Sequence, residues 1–305
     1  MPYTTIQRRK HIRNKLLLAA FTTLLVLALS LSGWVYKAKT QHDLNMKLLG
    51  AVRSRDANVT HLLLAQGADP NIRDVEDKQP SLWQQIRQAF HKDCQPSDDQ
   101  MNRVRRTMLE MAMSPDNENV PLIQALLEAG AHPDDSSDSD TITPLMIAVG
   151  RDFPQTVQML LDHGANPLAK DYSGRLPIHF MESDDLDELK IAAMLVKREN
   201  DVNAAYDSGR TALLNSCGYG NIHIVRFLLA HGARVDIRDA NDDTPLLCCF
   251  RTISSPQIPD IVKLLIEHGA DVNHRNKQRE TALSLAIMWE DKQSIRLLKA
   301  AGARP

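Results

Sequence analysis

The stretch LLDHGANPL at 160–168 decides the fold, because related phrases return at regular intervals along the chain. In the full copies an apolar pair is followed by two mostly polar residues and Gly-Ala. Successive glycine positions from Gly130 onward are 34, 35, 33, 37 and 33 residues apart, with Glu199 standing in place of one glycine. Such self-similarity predicts a repeat architecture. The other copies are LLAQGADPN (63–71), LLEAGAHPD (126–134), LVKRENDVN (195–203), LLAHGARVD (228–236), LIEHGADVN (265–273) and LLKAAGARP (297–305).

A second phrase lies about twenty-one residues before each glycine position and predicts the start of a helix. Its leading threonine can accept a hydrogen bond from a backbone N–H, and proline fits the first helical turn. The apolar spacing that precedes each Gly-Ala predicts a second helix, which the glycine ends in a left-handed conformation. The copies are TMLEMA (107–112), TPLMIA (143–148), LPIHFM (176–181), TALLNS (211–216), TPLLCC (244–249) and TALSLA (281–286).

Together these two phrases, at a step near 33 residues, resemble the ankyrin repeat over roughly residues 44–305. The resemblance implies an all-α, ankyrin-type α-solenoid of about seven units, in which helix pairs alternate with short hairpin loops. One such pair has too little apolar surface to be stable alone, so neighbouring units stack and bury a shared face. We therefore expect a repeat domain over 37–305.

Several segments depart from the repeat pattern. An insertion near 77–106 includes a helical apolar stripe formed by Leu82, Trp83, Ile86 and Phe90, which indicates either a helix packed on the first repeats or a partner-binding protrusion. A smaller insertion is ISSPQIPD at 253–260. The acidic loop DDSSDSD at 134–140 lacks the glycine and glutamate offsets of a calcium loop, which favours a solvated hairpin.

The segment Leu16–Tyr36 holds no charged residue and is long enough, as a helix, to cross a bilayer of about 30 Å. The preceding residues 1–15 contain five basic and no acidic residues, which predicts a cytoplasmic tail by the positive-inside rule. We expect a single transmembrane helix over 16–36 with the repeats on the extracytoplasmic, periplasmic side. A cleaved signal peptide, which would release the repeats into the periplasm, is the alternative, because Ser30 and Ser32 offer small residues for cleavage.

Composition and motif searches argue against catalysis and nucleic-acid binding. Lysines and arginines number 36 against 38 acids, and beyond the basic N-terminal tail the chain carries a net charge of −7, so a clustered basic face is not expected. Neither GxxxxGK[ST], HExxH nor GxSxG occurs. His163, His231 and His268 share one repeat phase and are one or two repeats apart, which is too far for a common metal ion. We predict no enzyme activity, no cofactor, no metal and no small-molecule substrate.

The four cysteines, Cys94, Cys217, Cys248 and Cys249, show no CxxC spacing. Free cysteine is among the residue types that proteins bury most often, so we interpret these side chains as small apolar core residues. A disulfide bond between Cys94 and one of the other three stays open at this point.

Ankyrin-type stacks typically bind partners through the hairpin tips and the exposed side of each first helix. Tyrosine, tryptophan and arginine are the most frequent interface anchors. The resemblance therefore implies a non-catalytic protein-protein interaction module, tethered to the membrane. The alternative is a periplasmic immunity or inhibitor protein that neutralises one toxin or enzyme. The corresponding repeat positions are Arg151, Tyr172, Arg175, Arg210, Tyr219, Asn241, Asp243, Arg251, Lys277 and Trp289.

Overall fold

The computed structural model describes residues 36–74, 106–114, 117–136, 141–197, 201–251 and 255–304. These fall into two compact units, one ending at Asp69 and the other beginning at Pro70. The predicted basic tail, the predicted anchor except for Tyr36, and the predicted insertion except for Arg106 lie outside the described residues. Within the described ranges, no helix has both the length and the apolar character needed to cross a bilayer.

The first unit contains one helix pair. Residues 36–53 are helical (α1), and α2 follows at Ala57–Ala65 after a short turn. Asp56 caps α2, because its side chain accepts a hydrogen bond from the backbone N–H of Val59. Asn45 on α1 accepts one from the backbone N–H of Asp69 at 2.9 Å, which fixes the chain that leaves α2.

The second unit is a two-layer stack of helix pairs. Neighbouring first helices contact each other along one layer and neighbouring second helices along the other, as expected for an ankyrin-type solenoid. Its elements are β1 (Arg73–Asp74), β2 (Arg106–Thr107), α3 (Met108–Ala112), β3 (Met113–Ser114), β4 (Asn117–Glu118), α4 (Val120–Glu128), α5 (Pro144–Val149), α6 (Pro154–Asp162), a 3-10 helix (Pro177–Phe180), α7 (Leu186–Lys197), α8 (Ala212–Tyr219), α9 (Ile222–Ala230), α10 (Pro245–Cys248), α11 (Ile258–Glu267), α12 (Ala282–Met288) and α13 (Lys292–Ala300).

The core between these layers is formed by the apolar positions that the repeats predict. Leu145 and Ala148 on α5 and Val157 and Leu160 on α6 are fully buried. The small alanine allows the helices to approach each other closely. Burying such side chains contributes about 1.5–3 kcal/mol for each large one. Because these side chains lie at contacts between helices, each pair depends on its neighbours.

The predicted helix starts and ends are confirmed at most repeats. Thr143, Thr211 and Thr281 each accept a hydrogen bond from the backbone N–H three residues later. Thr244 differs, because no side-chain cap forms at the start of α10. At the other end, Gly232 has a φ of +85°, a left-handed conformation that disfavours residues with a Cβ.

Asparagines fasten consecutive loops of the stack to each other. In each case the asparagine makes two hydrogen bonds to the loop after the next repeat's second helix. Its amide N–H donates to the carbonyl of the glycine that ends that helix. Its side-chain oxygen accepts the backbone N–H of the residue two positions after the glycine. The pairs are Asn71–Gly130, Asn203–Gly232 and Asn273–Gly302, with amide-to-carbonyl distances of 3.1, 3.1 and 3.3 Å.

The first of these bonds spans the predicted insertion. It joins residues 59 positions apart, whereas the equivalent bond from Asn203 spans 29. On the N-terminal side, β1 pairs with β2 in antiparallel register, with Arg73 opposite Thr107. Asn71 therefore bonds to the repeat that ends at Gly130 in the same way as Asn203 bonds to the repeat that ends at Gly232.

Candidate interaction face

Four consecutive hairpins form one edge of the second unit. Each hairpin is closed by a hydrogen bond from its first residue's N–H to its fifth residue's carbonyl, as in the bond from Asp171 to Arg175 at 3.0 Å. Neighbouring hairpins are also joined through the backbone, with Lys277 N–H donating to the Asn241 carbonyl at 3.1 Å. The predicted tip residues Tyr172, Asn241 and Lys277 are thus held on a continuous, hydrogen-bonded ribbon.

Arg175 is bonded within its own hairpin. Its Nε donates to Asp171 Oδ2 at 2.7 Å, and its guanidinium lies 4.4 Å from the centre of the Phe180 ring. Asp171 also accepts the backbone N–H groups of Ser173 and Arg175, so its buried carboxylate is fully engaged. Arg175 consequently orients the hairpin and the following 3-10 helix.

Asp243, Arg251, Asn276 and Glu280 form the most extensive polar cluster on this face, which we call the Asp243 cluster. Arg251 donates to both oxygens of Asp243, at 2.9 and 3.0 Å, and to Glu280 Oε2 at 2.6 Å. Asn276 Nδ2 bridges the same two acids. The bond to Asp243 raises the pKa of Arg251, and the Asn276 amide followed by Arg251 lowers the pKa of Glu280.

Arg210 and Tyr219 border a hollow of about 250 Å³ one repeat earlier. Arg210 Nε donates to Asn215 Oδ1 at 2.9 Å, and its Nη1 reaches Asp239 at 3.4 Å. Burial, and then the charge of Glu182, raises the pKa of Tyr219. The hollow is therefore polar, and its side chains mainly bond to each other.

Three predicted residues lie at the ends of this face and differ in how they are engaged. Arg151 donates from Nη1 to the carbonyl of Met113 in the preceding unit. Tyr172 is 69% exposed at its hairpin tip. Trp289, at the end of α12, is 54% exposed although its Nε1–H donates to the Phe250 carbonyl at 2.9 Å.

The structure thus brings Asp243 and Arg251 together in one cluster and leaves Tyr172, Asn241, Lys277 and Trp289 exposed at separate places. The sequence analysis did not identify the internal partners of the arginines. A signal for them exists, because an aspartate or asparagine recurs five residues before the helix-starting phrase. These positions are Asp171, Asp239 and Asn276.

Two acids, Glu188 on α7 and the half-buried Asp152 in the loop before α6, have raised pKa values. Glu188 is fully buried, and neither carboxylate oxygen has a hydrogen-bond partner among the described residues. Burial, followed by the charge of Asp152, raises the pKa of Glu188 to about 9. Burial and the charge of Asp185 raise the pKa of Asp152 to about 6. Burial thus makes the charged form of each group less favourable, because charged oxygens in a poorly solvated site are unstable.

The recurring histidines have a structural role. Nδ1 of His163, His231 and His268 lies 2.8 Å from the carbonyl oxygen four residues earlier, at the end of each second helix. Cys217, Cys248 and Cys249 are free and buried in the core, which agrees with their interpretation as small apolar residues. Cys94 lies outside the described residues, so a disulfide to it stays a prediction.

Family models and curated relatives agree with this architecture. The model for ankyrin repeats in three copies matches residues 48–171, 108–205 and 179–276, and the model for many copies matches 259–298. A putative ankyrin repeat protein, YahD of Escherichia coli, is 32% identical over 151 residues, which are 48% of this chain and 73% of that protein. The human B-cell lymphoma 3 protein is 36% identical over 110 residues, 35% of this chain and 24% of its own length.

Phosphocholine transferase AnkX of Legionella pneumophila is 28% identical over 171 residues, 55% of this chain. The matched part is 18% of the transferase, so this chain spans a small fraction of that enzyme. A likeness to so small a part of that enzyme carries no activity to this chain. Because the family matches run from 48 to 298 and coincide with the stacked helix pairs, the chain belongs to the ankyrin repeat family.

Proposed function

We propose that this chain is a non-catalytic module that binds another protein through its hairpin tips and first helices. One observation carries the proposal: Tyr172 and Trp289 stay 69% and 54% exposed, whereas Arg175 and Arg251 on the same face are bonded internally. Exposed aromatic side chains bury a large area at little entropic cost, so they anchor interfaces. Ankyrin repeats are protein interaction modules, and the family membership supports this assignment.

The internally bonded residues support the same function indirectly. The Asp243 cluster and the backbone bonds between hairpins hold the tips in place before any partner arrives. A surface that is rigid in the free protein loses less conformational entropy on association, which increases affinity. The partner would therefore meet a preformed surface and leave most of its bonds intact.

The proposed module is tethered to a membrane by Leu16–Tyr36 with its repeats on the extracytoplasmic side. Support comes from the charge-free apolar segment and the five basic residues that precede it. A tether of this kind raises the effective concentration of the module near membrane-bound partners. Reporters fused after Pro305 test the orientation: an enzyme active only outside the cytoplasm is expected to work, and an active cytoplasm-only reporter contradicts the assignment.

Site-specific photo-crosslinking in intact cells tests partner binding. A photoreactive residue is placed at Tyr172 or Trp289, and at Lys263 as the control, because Lys263 is 61% exposed on α11 in the other helix layer. We expect protein adducts at the first two positions and none at Lys263. Equal adducts at all three positions, or none at any, contradict the proposal. A single adduct partner favours the inhibitor or immunity function, and several favour a general scaffold.

A further inference from the structure

A hollow of about 520 Å³ lies beside Trp289. It is bordered by Phe250, by the segment 255–259 and by Glu290 and Lys292. The segment 255–259 belongs to the small insertion that lengthens this repeat, since the glycine step is 37 residues here. The hollow is therefore a feature of this chain's own irregularity and not of the regular repeat.

The indole of Trp289 is held in place at the edge of this hollow. Its single N–H donor is used by the Phe250 carbonyl at 2.9 Å, which fixes the ring to the preceding repeat. The side chain remains 54% exposed, so it presents aromatic surface and no free polar group. Such a surface suits apolar contacts and cations, which are attracted by the negative face of the ring.

The acids beside Trp289 differ in what they can still bind. Asp291 is engaged by α13, because it accepts the backbone N–H groups of Gln293 and Ser294. Glu290 is exposed, and no described residue donates a hydrogen bond to its carboxylate. Lys292 also borders the hollow and forms no ion pair with a described residue. The negative charge of Glu290 thus lies next to the fixed ring of Trp289. The positive charge of Lys292 repels a cationic ligand and partly offsets this attraction.

We propose that the hollow between Trp289 and Glu290 receives an arginine or lysine side chain of the protein partner. The alkyl part of that side chain and its cationic group lie against the indole, and Glu290 pairs with the charge. The net charge of −7 beyond the N-terminal tail also favours a basic partner over an acidic one. This assignment rests on the proposed protein-binding function and names the chemistry of its partner.

Fluorine NMR of the full-length chain tests the assignment with a simple probe. Tryptophans are replaced by 5-fluorotryptophan, and Trp289→Phe identifies the resonance of Trp289. The blocked tripeptide acetyl-Gly-Arg-Gly-amide is titrated, with acetyl-Gly-Glu-Gly-amide as the matched control. We expect a saturable shift of the Trp289 resonance with the arginine peptide and none with the glutamate peptide. Equal shifts with both, or no saturable shift, overturn the proposal.

Charge variants sharpen this measurement. Glu290→Gln is expected to weaken the arginine peptide about three- to five-fold, and Lys292→Met to strengthen it by a smaller factor. Glu267→Gln removes the same charge from an exposed position on α11 and is expected to leave the affinity unchanged. If Glu290→Gln and Glu267→Gln have the same effect, the proposal fails.

Crosslinking separates this proposal from the function on which it rests. If the photoreactive residue at position 289 still gives partner adducts in cells while the arginine peptide does not bind, the protein-binding function stands. The proposal that the hollow receives a basic side chain is then wrong. If the peptide binds but no position on the face gives a protein adduct, the hollow recognises cations and the proposed function fails.

Discussion

The Asp243 cluster and the hollow beside Trp289 lie at the junction of the same two repeats, and both contain residues that the sequence predicts as interface anchors. In the cluster, Arg251 bonds with Asp243 and Glu280. At the hollow, the indole N–H is bonded, while the aromatic surface and the Glu290 carboxylate stay accessible. The comparison shows that residue type alone does not identify a binding position. A residue can bind a partner only through the donors, acceptors and apolar surface that stay accessible after the repeats have stacked.

Removing Arg251 is expected to have a large effect on stability at every pH between 5 and 9. Arg251→Met leaves the carboxylate of Asp243, whose side chain is 3% exposed, without its main counter-charge. An uncompensated buried charge costs about 3 kcal/mol of unfolding free energy. Urea unfolding followed by circular dichroism measures the change. The control is Arg234→Met, which breaks an exposed pair with Asp236 and is expected to leave the midpoint unchanged. Equal midpoints for the two variants contradict a structural role for the cluster.

Glu188 is a buried acid whose carboxylate oxygens accept no hydrogen bond from a described residue. Its pKa is raised to about 9 from 4.5, so the folded chain retains a proton that the unfolded chain has lost. Its contribution to stability is therefore complete below about pH 4.5 and is lost as pH rises toward 9, by up to about 1.4 kcal/mol per pH unit. Glu188→Gln removes this dependence. Unfolding free energies of the two chains between pH 5 and 9 should diverge steadily, and parallel curves would contradict the prediction.

Tyr219 tests the comparison at one repeat position, since Tyr219 and Trp289 both lie eight residues after a helix-capping threonine. Tyr219→Phe removes the phenol oxygen beside the hollow and keeps the aromatic ring. We expect a loss of about 0.5–1 kcal/mol in unfolding free energy and no change in crosslinking at position 289. Lost crosslinking in this variant would show that the two hollows act as one site.

Lys277 at a hairpin tip should have the smallest effect. Its Nζ donates to the Ala240 carbonyl at 2.7 Å from an exposed position, while its backbone N–H makes the bond to the Asn241 carbonyl. Lys277→Ala keeps the backbone bond, so the unfolding free energy should change by less than about 0.5 kcal/mol. A loss above about 1 kcal/mol would mean that tip side chains stabilise the ribbon.

The sequence predicts the fold well because its signals are local. The capping threonines, the left-handed Gly232 and the apolar faces each depend on residues within one repeat. The site depends on contacts between repeats, and these are not visible in a single unit. Arg251 meets Glu280, 29 residues later, and Trp289 meets Phe250, 39 residues earlier. Residue type and phase therefore select candidate positions but cannot distinguish internally bonded arginines from accessible aromatic rings.

Asn71 and Gly130 are joined by a hydrogen bond although they are far apart along the chain. Asn71 bonds to the repeat that ends at Gly130, and Asp74 pairs with Arg106, although residues 75–105 separate them in the sequence. That junction can accept changes in length, because loop closure becomes less favourable only slowly as residues are added. It is accordingly the natural point in this molecule at which to graft a fluorescent protein or an affinity tag while keeping the bond between Asn71 and Gly130.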